Sequence, residues 1–265
     1  MIAFISSLIL AIIILIPLGF KWEIKGKISI LGALTIGLIT AALIRAILGI
    51  YGNLSLLQLI PLEIFIISLL AGLAILSRFY RDPERVPPNE RRVILSPADG
   101  KLLYVKKIEA GKVPYSQKKG KRFKLHDLTK SDILNEGSYL IGIGMNFLNV
   151  HVNRSPISGK INILKHIKGN FFSLKKEESL LQNERVLMVI KNDEFAVGIV
   201  QIASRLVRRI TSYLREGESV KIGQRVGMIK FGSQVDVVLP NMEGLEISVN
   251  VGEELKAGVS IIAKY

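Results

Sequence analysis

The chain has 265 residues, of which 49% are hydrophobic, and it carries a formal net charge of +14. It contains no cysteine, which excludes disulfides, iron–sulfur clusters and thiolate zinc sites. So large a basic surplus suits nucleic acid or anionic lipid head groups, or is simply a basic soluble surface, and the hydrophobic N-terminal region favours a lipid partner over nucleic acid.

Three long apolar segments fill most of the first 77 residues, and they run over residues 1–20, 28–50 and 54–76. Each is close to the length of about 20 residues that a helix needs to cross a bilayer. Arg45 and Glu63 interrupt the second and third segments near an end, where a charge can reach the interface, so we predict two to three transmembrane helices. By the positive-inside rule, the lysines after the first segment and the arginines after the third place everything beyond residue 77 in the cytoplasm.

Residues 78–95 are rich in arginine and proline and are predicted to be a linker. Beyond them, short apolar runs punctuated by glycine predict strands over residues 101–106, 139–145, 186–190, 195–202 and 235–239. Residues 201–213 fit a short helix or an irregular strand.

Two pairs of segments in this region resemble each other, 96–101 with 155–160 and 216–223 with 251–258. Repeated turns followed by strands are typical of lipoyl-like barrel-sandwich domains, in which two similar halves interlock. We therefore predict a mainly β (α+β) domain over residues 96–265, of barrel-sandwich type, on the cytoplasmic side of the membrane anchor.

The dipeptide Gly232-Ser233 lies between two strand-like runs. A serine there can attack the carbonyl of the preceding glycine, which permits backbone conformations closed to other residues. β-Elimination from the resulting ester would cut the chain, and hydrolysis would leave a pyruvoyl group on the downstream fragment. Gly-Ser pairs are also common in plain turns, so this hypothesis depends on partner groups elsewhere in the domain.

Two candidate partners are Asp99, in the turn Ser-Pro-Ala-Asp-Gly, and His151, in an alternating strand where it points away from its valine neighbours. With Ser233 they could form an array of nucleophile, base and orienting group. Taken alone, Asp99 also fits a turn-capping residue and His151 a surface strand residue. His126 and His166 stand beside lysines and are expected to be solvated, and no metal site is predicted.

Six segments, in order along the chain, together resemble the short form of the phosphatidylserine decarboxylase proenzyme family, which includes archaetidylserine decarboxylases. The segments are Phe79–Arg85, Ser96–Gly100, Val150–Arg154, Asn183–Arg185, Arg208–Ile210 and Phe231–Asp236. The resemblance implies cleavage between Gly232 and Ser233 into a β fragment, 1–232, and an α fragment, 233–265, that remain together as a heterodimer. It implies that Ser233 becomes a covalent pyruvoyl cofactor.

The same resemblance implies that a serine phospholipid of the cell membrane, archaetidylserine or phosphatidylserine, is decarboxylated to the ethanolamine phospholipid with release of CO2. Longer relatives carry two histidines spaced H-x-x-H, whereas here Arg154 follows His151 at that spacing. Either His151 serves both self-cleavage and decarboxylation or another group takes one role. Asn149 replaces a carboxylate that relatives usually have.

Arg154, Arg208 and Arg209 are candidates for binding the lipid phosphate, because a guanidinium group makes bidentate contacts with phosphate. A generally basic surface near anionic lipid explains them equally well. The alternative function is a non-enzymatic membrane adaptor with a lipoyl-like domain. A biotin or lipoate carrier would need a lysine at a tight turn, which residues 228–231 match poorly.

Overall fold

The computed structural model describes residues 2–22, 24–108, 138–169, 183–203, 210–230 and 233–265. The chain forms two compact units. The helical unit comprises Met1–Arg81 together with Asn146–Leu148, and the β unit comprises Asp82–Met145 together with Asn149–Tyr265.

The helical unit contains α1 (Ile2–Lys21), α2 (Gly26–Tyr51) and α3 (Leu56–Phe79). All three helices are long and apolar enough to cross a membrane, which is the upper number predicted from the sequence. Helices α1 and α2 approach closely at small residues, since a Cβ atom on Gly37 would lie 3.1 Å from that of Ala11.

Glu63 lies inside the helical unit and is fully buried. Its Oε1 atom accepts hydrogen bonds of 2.7 Å from the hydroxyls of both Ser6 and Ser7 on α1. The expectation that this charge reaches the membrane interface is therefore wrong. A polar group in apolar surroundings needs hydrogen-bond partners, and here a neighbouring helix provides them.

The β unit is built from antiparallel strands in the described part of the chain. They are β1 (Val93–Leu95), β2 (Gly100–Ile108), β3 (Ser138–Met145), β4 (Val152–Arg154), β5 (Gly159–Ile167), β6 (Arg185–Lys191), β7 (Ala196–Ala203), β8 (Ile210–Ser212), β9 (Ser219–Val220), β10 (Arg225–Ile229), β11 (Ser233–Pro240), β12 (Glu246–Ile247), β13 (Glu254–Leu255) and β14 (Ile261–Lys264). The five predicted strands are confirmed as β2, β3, β6, β7 and β11, and β1 falls within the predicted linker.

Eight strands form one sheet in the order β13-β2-β3-β11-β7-β6-β5-β9, and two smaller sheets have the orders β1-β14-β12 and β4-β10-β8. Side chains alternate between the two faces of the large sheet. One face carries the main hydrophobic core, which includes Ile143, Val235 and Val237. The opposite face carries a smaller cluster that includes Val200 and Val238.

The strand order repeats on either side of the β11–β7 pair. One half consists of β4–β10, and the other consists of β1–β3 together with β11–β14. Taken in chain order, the seven strands of each half occupy equivalent positions in the sheets. The two turns that resemble each other in sequence also make equivalent hydrogen bonds. Gly258 N–H donates to Ser96 O in one half, and Gly223 N–H donates to Ser155 O in the other, both at 2.8 Å. One half is thus inserted into the chain of the other.

Candidate active site

Asp99 is held at the end of the first turn, where the chain enters β2. Gly100 has a φ of +152°, and a Cβ atom on it would lie 2.2 Å from the carbonyl oxygen of Gly144. Glycine therefore lets this turn approach β3 closely. The buried Asp99 carboxylate accepts hydrogen bonds from the backbone N–H groups of Ala257 at 2.8 Å and Val150 at 3.4 Å.

Arg85 forms a two-pronged ion pair with the same carboxylate. Its Nη1 and Nη2 atoms lie 2.5 and 2.9 Å from Oδ1 and Oδ2 of Asp99, and Nη1 also donates to the carbonyl of Ala257 at 2.8 Å. The sequence placed Arg85 in the linker and gave it no role. The available signal was its position in the Phe79–Arg85 segment that resembles the family.

His151 is fully buried, directly before β4 begins at Val152. Its interpretation as a surface strand residue is wrong, because the strand starts after it and packs it inside. Burial lowers the pKa of His151 from 6.5 to about 4, against the opposing effects of the Asn149 carbonyl and of Asp99. The imidazole is therefore neutral at pH 7. Its Nδ1 lies 2.9 Å from the carbonyl oxygen of Asn149, so Nδ1–H donates there and Nε2 is the basic nitrogen.

The backbone of Ser233 begins β11 at the centre of the large sheet. It lies in register with Met145 of β3 on one side and with Ala203 of β7 on the other. Four residues earlier, Ile229 N–H donates to the carbonyl of His151 at 3.2 Å. The structure thus joins Asp99, through Val150 and His151, to the segment that leads into Ser233. Gly232 and the side chain of Ser233 lie outside what the structure describes.

A buried pair of amides lies on the core face near this segment. Gln201, in register with Val235, donates from Nε2 to Oδ1 of Asn153 at 2.8 Å, and Asn153 donates to the carbonyl of Pro97 at 3.3 Å. The sequence assigned neither amide a role. Polar groups sharing one buried network are placed rigidly, since each loses stability if its partner moves.

Arg154 is almost completely buried and binds the segment that precedes β1. Its guanidinium donates to Asp82 at 3.2 Å, to the carbonyl of Pro83 at 3.0 Å and to the carbonyl of Gly223 at 3.1 Å. A role for Arg154 in phosphate binding stays a prediction. Arg208 and Arg209 lie outside the described residues.

A second buried acid, Asp236, lies on the opposite face of the large sheet. It accepts hydrogen bonds from the hydroxyl of Tyr104 at 2.8 Å and from Nε2 of Gln234 at 2.7 Å. Burial raises its pKa from 3.8 to about 6, although both hydrogen bonds act to lower it. Gly142 makes room for the tyrosine, because a Cβ atom there would lie 2.3 Å from the ring.

His166 lies in β5, and its exposed ring has Nε2 2.9 Å from Oε1 of Glu184. This agrees with its prediction as a surface residue, whereas His126 lies outside the described part of the chain. Among the described residues, no group of three or more histidine and carboxylate side chains is arranged to hold a metal ion.

Comparison with known proteins gives two kinds of match. The family model described as phosphatidylserine decarboxylase matches residues 73–263. A relative from Methanocaldococcus jannaschii, provisionally named an archaetidylserine decarboxylase proenzyme, is 42% identical over 201 residues, which are 76% of this chain and 95% of the relative.

Two further relatives match to a similar degree. One from Methanothermobacter thermautotrophicus bears the same provisional name and is 40% identical over 73% of this chain and 82% of its own length. The other, from Pelodictyon phaeoclathratiforme, is named a phosphatidylserine decarboxylase proenzyme and is 40% identical over 75% of this chain and 84% of its own length. Residues 73–263, which the family model matches, contain the whole of the candidate site.

Proposed function

The chain belongs to the phosphatidylserine decarboxylase family, and from this membership we propose that it is a proenzyme that cuts itself between Gly232 and Ser233 and then decarboxylates a serine phospholipid. It is an enzyme and not the adaptor that the sequence left as an alternative, because its relatives match over most of their own length. The observation in the structure that best supports the site is the buried, neutral His151 beside Asp99.

Self-cleavage begins when the hydroxyl of Ser233 attacks the carbonyl carbon of Gly232. Neutral His151 is suited to accept the hydroxyl proton, since a base must be unprotonated at working pH. The amide bond becomes an ester, and the nitrogen of Ser233 becomes a free amine. Loss of the Cα proton then breaks the ester, which frees Gly232 as a carboxylate. Water replaces the nitrogen, which leaves as ammonia, and a pyruvoyl group remains at position 233.

Asp99 supports this chemistry by positioning His151 and by its charge. Its carboxylate is fixed by Arg85 and by two backbone N–H groups, one of them from Val150, the residue before the histidine. A negative charge near the imidazole favours its protonated form as the proton arrives, which is the function of the acid in a catalytic triad. We propose that His151 serves both cleavage and turnover.

The surroundings of Ser233 fit a covalent group at a new N-terminus. Strand β11 pairs with β3 and β7 on both sides, so cutting before its first residue leaves it within the sheet. Strands β13 and β14 also pair with β2 and β1 of the larger fragment. These contacts support a stable heterodimer of residues 1–232 and 233–265.

A pyruvoyl group supplies a ketone that reacts with an amine and withdraws electrons as CO2 leaves. The chain itself supplies a buried site, which favours loss of a carboxylate charge, and His151 can return a proton to the substrate carbon. We propose archaetidylserine or phosphatidylserine as substrate, with Arg154, Arg208 and Arg209 near its phosphate. The internal repeat supports a lipoyl-like barrel-sandwich fold, and the basic residues at the helix ends support a cytoplasmic catalytic domain.

One experiment tests cleavage and function together. The purified protein is run on a denaturing gel, its fragments are weighed by mass spectrometry, and lipid products are measured with both serine lipids. We expect two fragments that meet between residues 232 and 233, with the smaller one blocked to Edman sequencing. Ser233→Ala should leave one inactive chain, whereas Ser219→Ala, at an exposed serine in β9, should process normally. An active protein that remains a single chain would contradict the proposal.

A further inference from the structure

A cavity of about 660 Å³ lies among the three helices of the helical unit. Its walls are mostly apolar or small, with Leu18 from α1, Gly32 from α2 and Gly72 from α3 as examples. Two arginines, Arg78 and Arg81, also line it. The volume is in the usual range of ligand sites, about 300–1,000 Å³.

The cavity results from the way α3 packs. Leu59, Glu63, Ile66 and Ile67 in its first half are buried, and Glu63 is tied to α1 by two hydrogen bonds. In the second half, no side chain between Ile67 and Phe79 is buried, and the residues that line the cavity there include small ones. Close packing at one end of α3 and small residues at the other leave a space between the helices.

The cavity has the depth and charge expected for one half of a bilayer. It extends along α1 from Ile14 to Trp22, the residue after the helix ends, which is a rise of about 12 Å at helical spacing. Half of a hydrocarbon core is about 15 Å. The end with Trp22 and Arg78 is the basic end, where α1 finishes at Lys21. Trp22 packs edge-on against Phe147 with ring centroids 5.4 Å apart, as is typical of aromatic residues at an interface.

The two arginines are available to an anionic partner. Among the residues that the structure describes, no carboxylate forms an ion pair with either of them. Arg81 donates one hydrogen bond, from Nη2 to the carbonyl of Leu148 at 3.0 Å, which leaves its other N–H groups for a ligand. Positive charge at the rim of an apolar cavity complements a molecule with an anionic head and a hydrocarbon tail.

We propose that this cavity binds one hydrocarbon chain of a membrane phospholipid whose phosphate is held by Arg78 and Arg81. An apolar space is a poor site for water, whereas a lipid chain fills it without unpaired polar groups. Guanidinium groups bind phosphate through paired hydrogen bonds. The helical unit would then be a lipid-binding site in its own right, and this inference does not depend on the proposed decarboxylation.

The test uses the full chain in maltoside micelles, which contain no phosphate, and phosphatidylglycerol with a photoreactive diazirine in one acyl chain. We expect the label within residues 14–36 and 68–81. Gly72→Leu should fill the cavity and reduce labelling several-fold, whereas Gly49→Leu, in α2 and outside the cavity, should not. A Cβ atom added to either glycine would have nothing within 4 Å except its chain neighbours and the backbone of its own helix, so both leucines start in open space. Should Gly72→Leu aggregate on size exclusion, Gly32→Leu tests the same space.

Charge is tested separately. Arg78→Gln should lower labelling about fivefold, the effect of one basic residue near a membrane surface, while Lys27→Gln, at the same end but outside the cavity, should not. Unlabelled phosphatidylglycerol should compete and diacylglycerol with the same chains should not. Equal labelling of wild type and Gly72→Leu, or equal competition by diacylglycerol, would overturn the proposal. Because the probe carries glycerol rather than serine, failure here leaves the proposed decarboxylation standing.

Discussion

Asp99 and Ser158 occupy equivalent turns in the two halves of the β unit, and each accepts a hydrogen bond from a backbone N–H group of the facing loop. Ala257 donates to Oδ1 of Asp99 at 2.8 Å, and Ile222 donates to Oγ of Ser158 at 2.9 Å. A hydroxyl therefore suffices for the turn itself. What the carboxylate adds is the ion pair with Arg85 and the hydrogen bond from Val150, the residue before His151.

Asp99→Ser should make the first turn resemble the second. The protein should fold, because serine can keep the bond from Ala257, but self-cleavage should slow by roughly tenfold or more as a charged hydrogen-bond network is lost. A time course of fragment formation after synthesis measures this. Ser158→Ala is the matched control and should cleave at the wild-type rate. Wild-type cleavage in Asp99→Ser would show that the carboxylate has no part in maturation.

The imidazole of His151 should titrate far below an ordinary histidine. Burial lowers its pKa from 6.5 to about 4, so it should stay neutral through the physiological range. The chain has three histidines, so an isotope-labelled sample gives few imidazole signals by NMR. The signal absent from His151→Gln should move near pH 4, and His166→Gln, at an exposed histidine, identifies a second signal so that the two are not confused. A midpoint for His151 near 6.5 would mean that it is solvated.

The free energy of unfolding should depend on pH through two buried groups, Asp236 and His151, whose effects have opposite signs. The raised pKa of Asp236 means that the folded state binds a proton more readily, so its contribution is present below pH 3.8 and lost as pH rises through about 6. The lowered pKa of His151 gives a contribution that rises as pH increases from about 4 to 6.5. Each pKa shift corresponds to a change of about 3 kcal/mol in the free energy of unfolding. The two effects should nearly cancel in the wild type.

Single substitutions should separate these effects. In Asp236→Asn only the effect of His151 remains, so the free energy of unfolding should fall steeply from pH 6.5 to 4. In His151→Gln only the effect of Asp236 remains, so the free energy of unfolding should increase as the pH falls over the same interval. Pulse proteolysis of the full chain in urea at several pH values gives the midpoints. Equal pH slopes in the wild type and both variants would show that neither group has a shifted pKa in the folded protein.

The sequence predicted those features that depend on local pattern. Apolar runs and glycine punctuation predicted five of the six longest strands, and the repeated segments marked the two turns that make equivalent hydrogen bonds. Partners distant in the sequence could not be predicted this way. Glu63 has its serines 56 and 57 residues earlier, and Arg85 meets Asp99 only because the segment before β1 folds back onto the turn. The burial of His151 was missed because alternation alone does not show where a strand begins.

Gly142→Ala should destabilise the β unit because the ring of Tyr104 fills the place of the missing side chain. The new Cβ would lie 2.3 Å from the ring, so the tyrosine must move and its hydrogen bond to Asp236 must break. Overpacking and a lost bond to a buried acid together should cost about 2–4 kcal/mol. Urea midpoints of the full chain measure the loss.

Tyr104→Phe separates the two causes, since it removes the hydroxyl and keeps the ring. It should cost less than Gly142→Ala, and it should raise the pKa of Asp236 further, because the tyrosine hydrogen bond favours the ionised carboxylate. In the double variant the hydrogen bond is already absent, so Gly142→Ala should add only the cost of the steric clash. Strictly additive costs would show that the glycine does not act through the tyrosine, and that some other contact limits the size of residue 142.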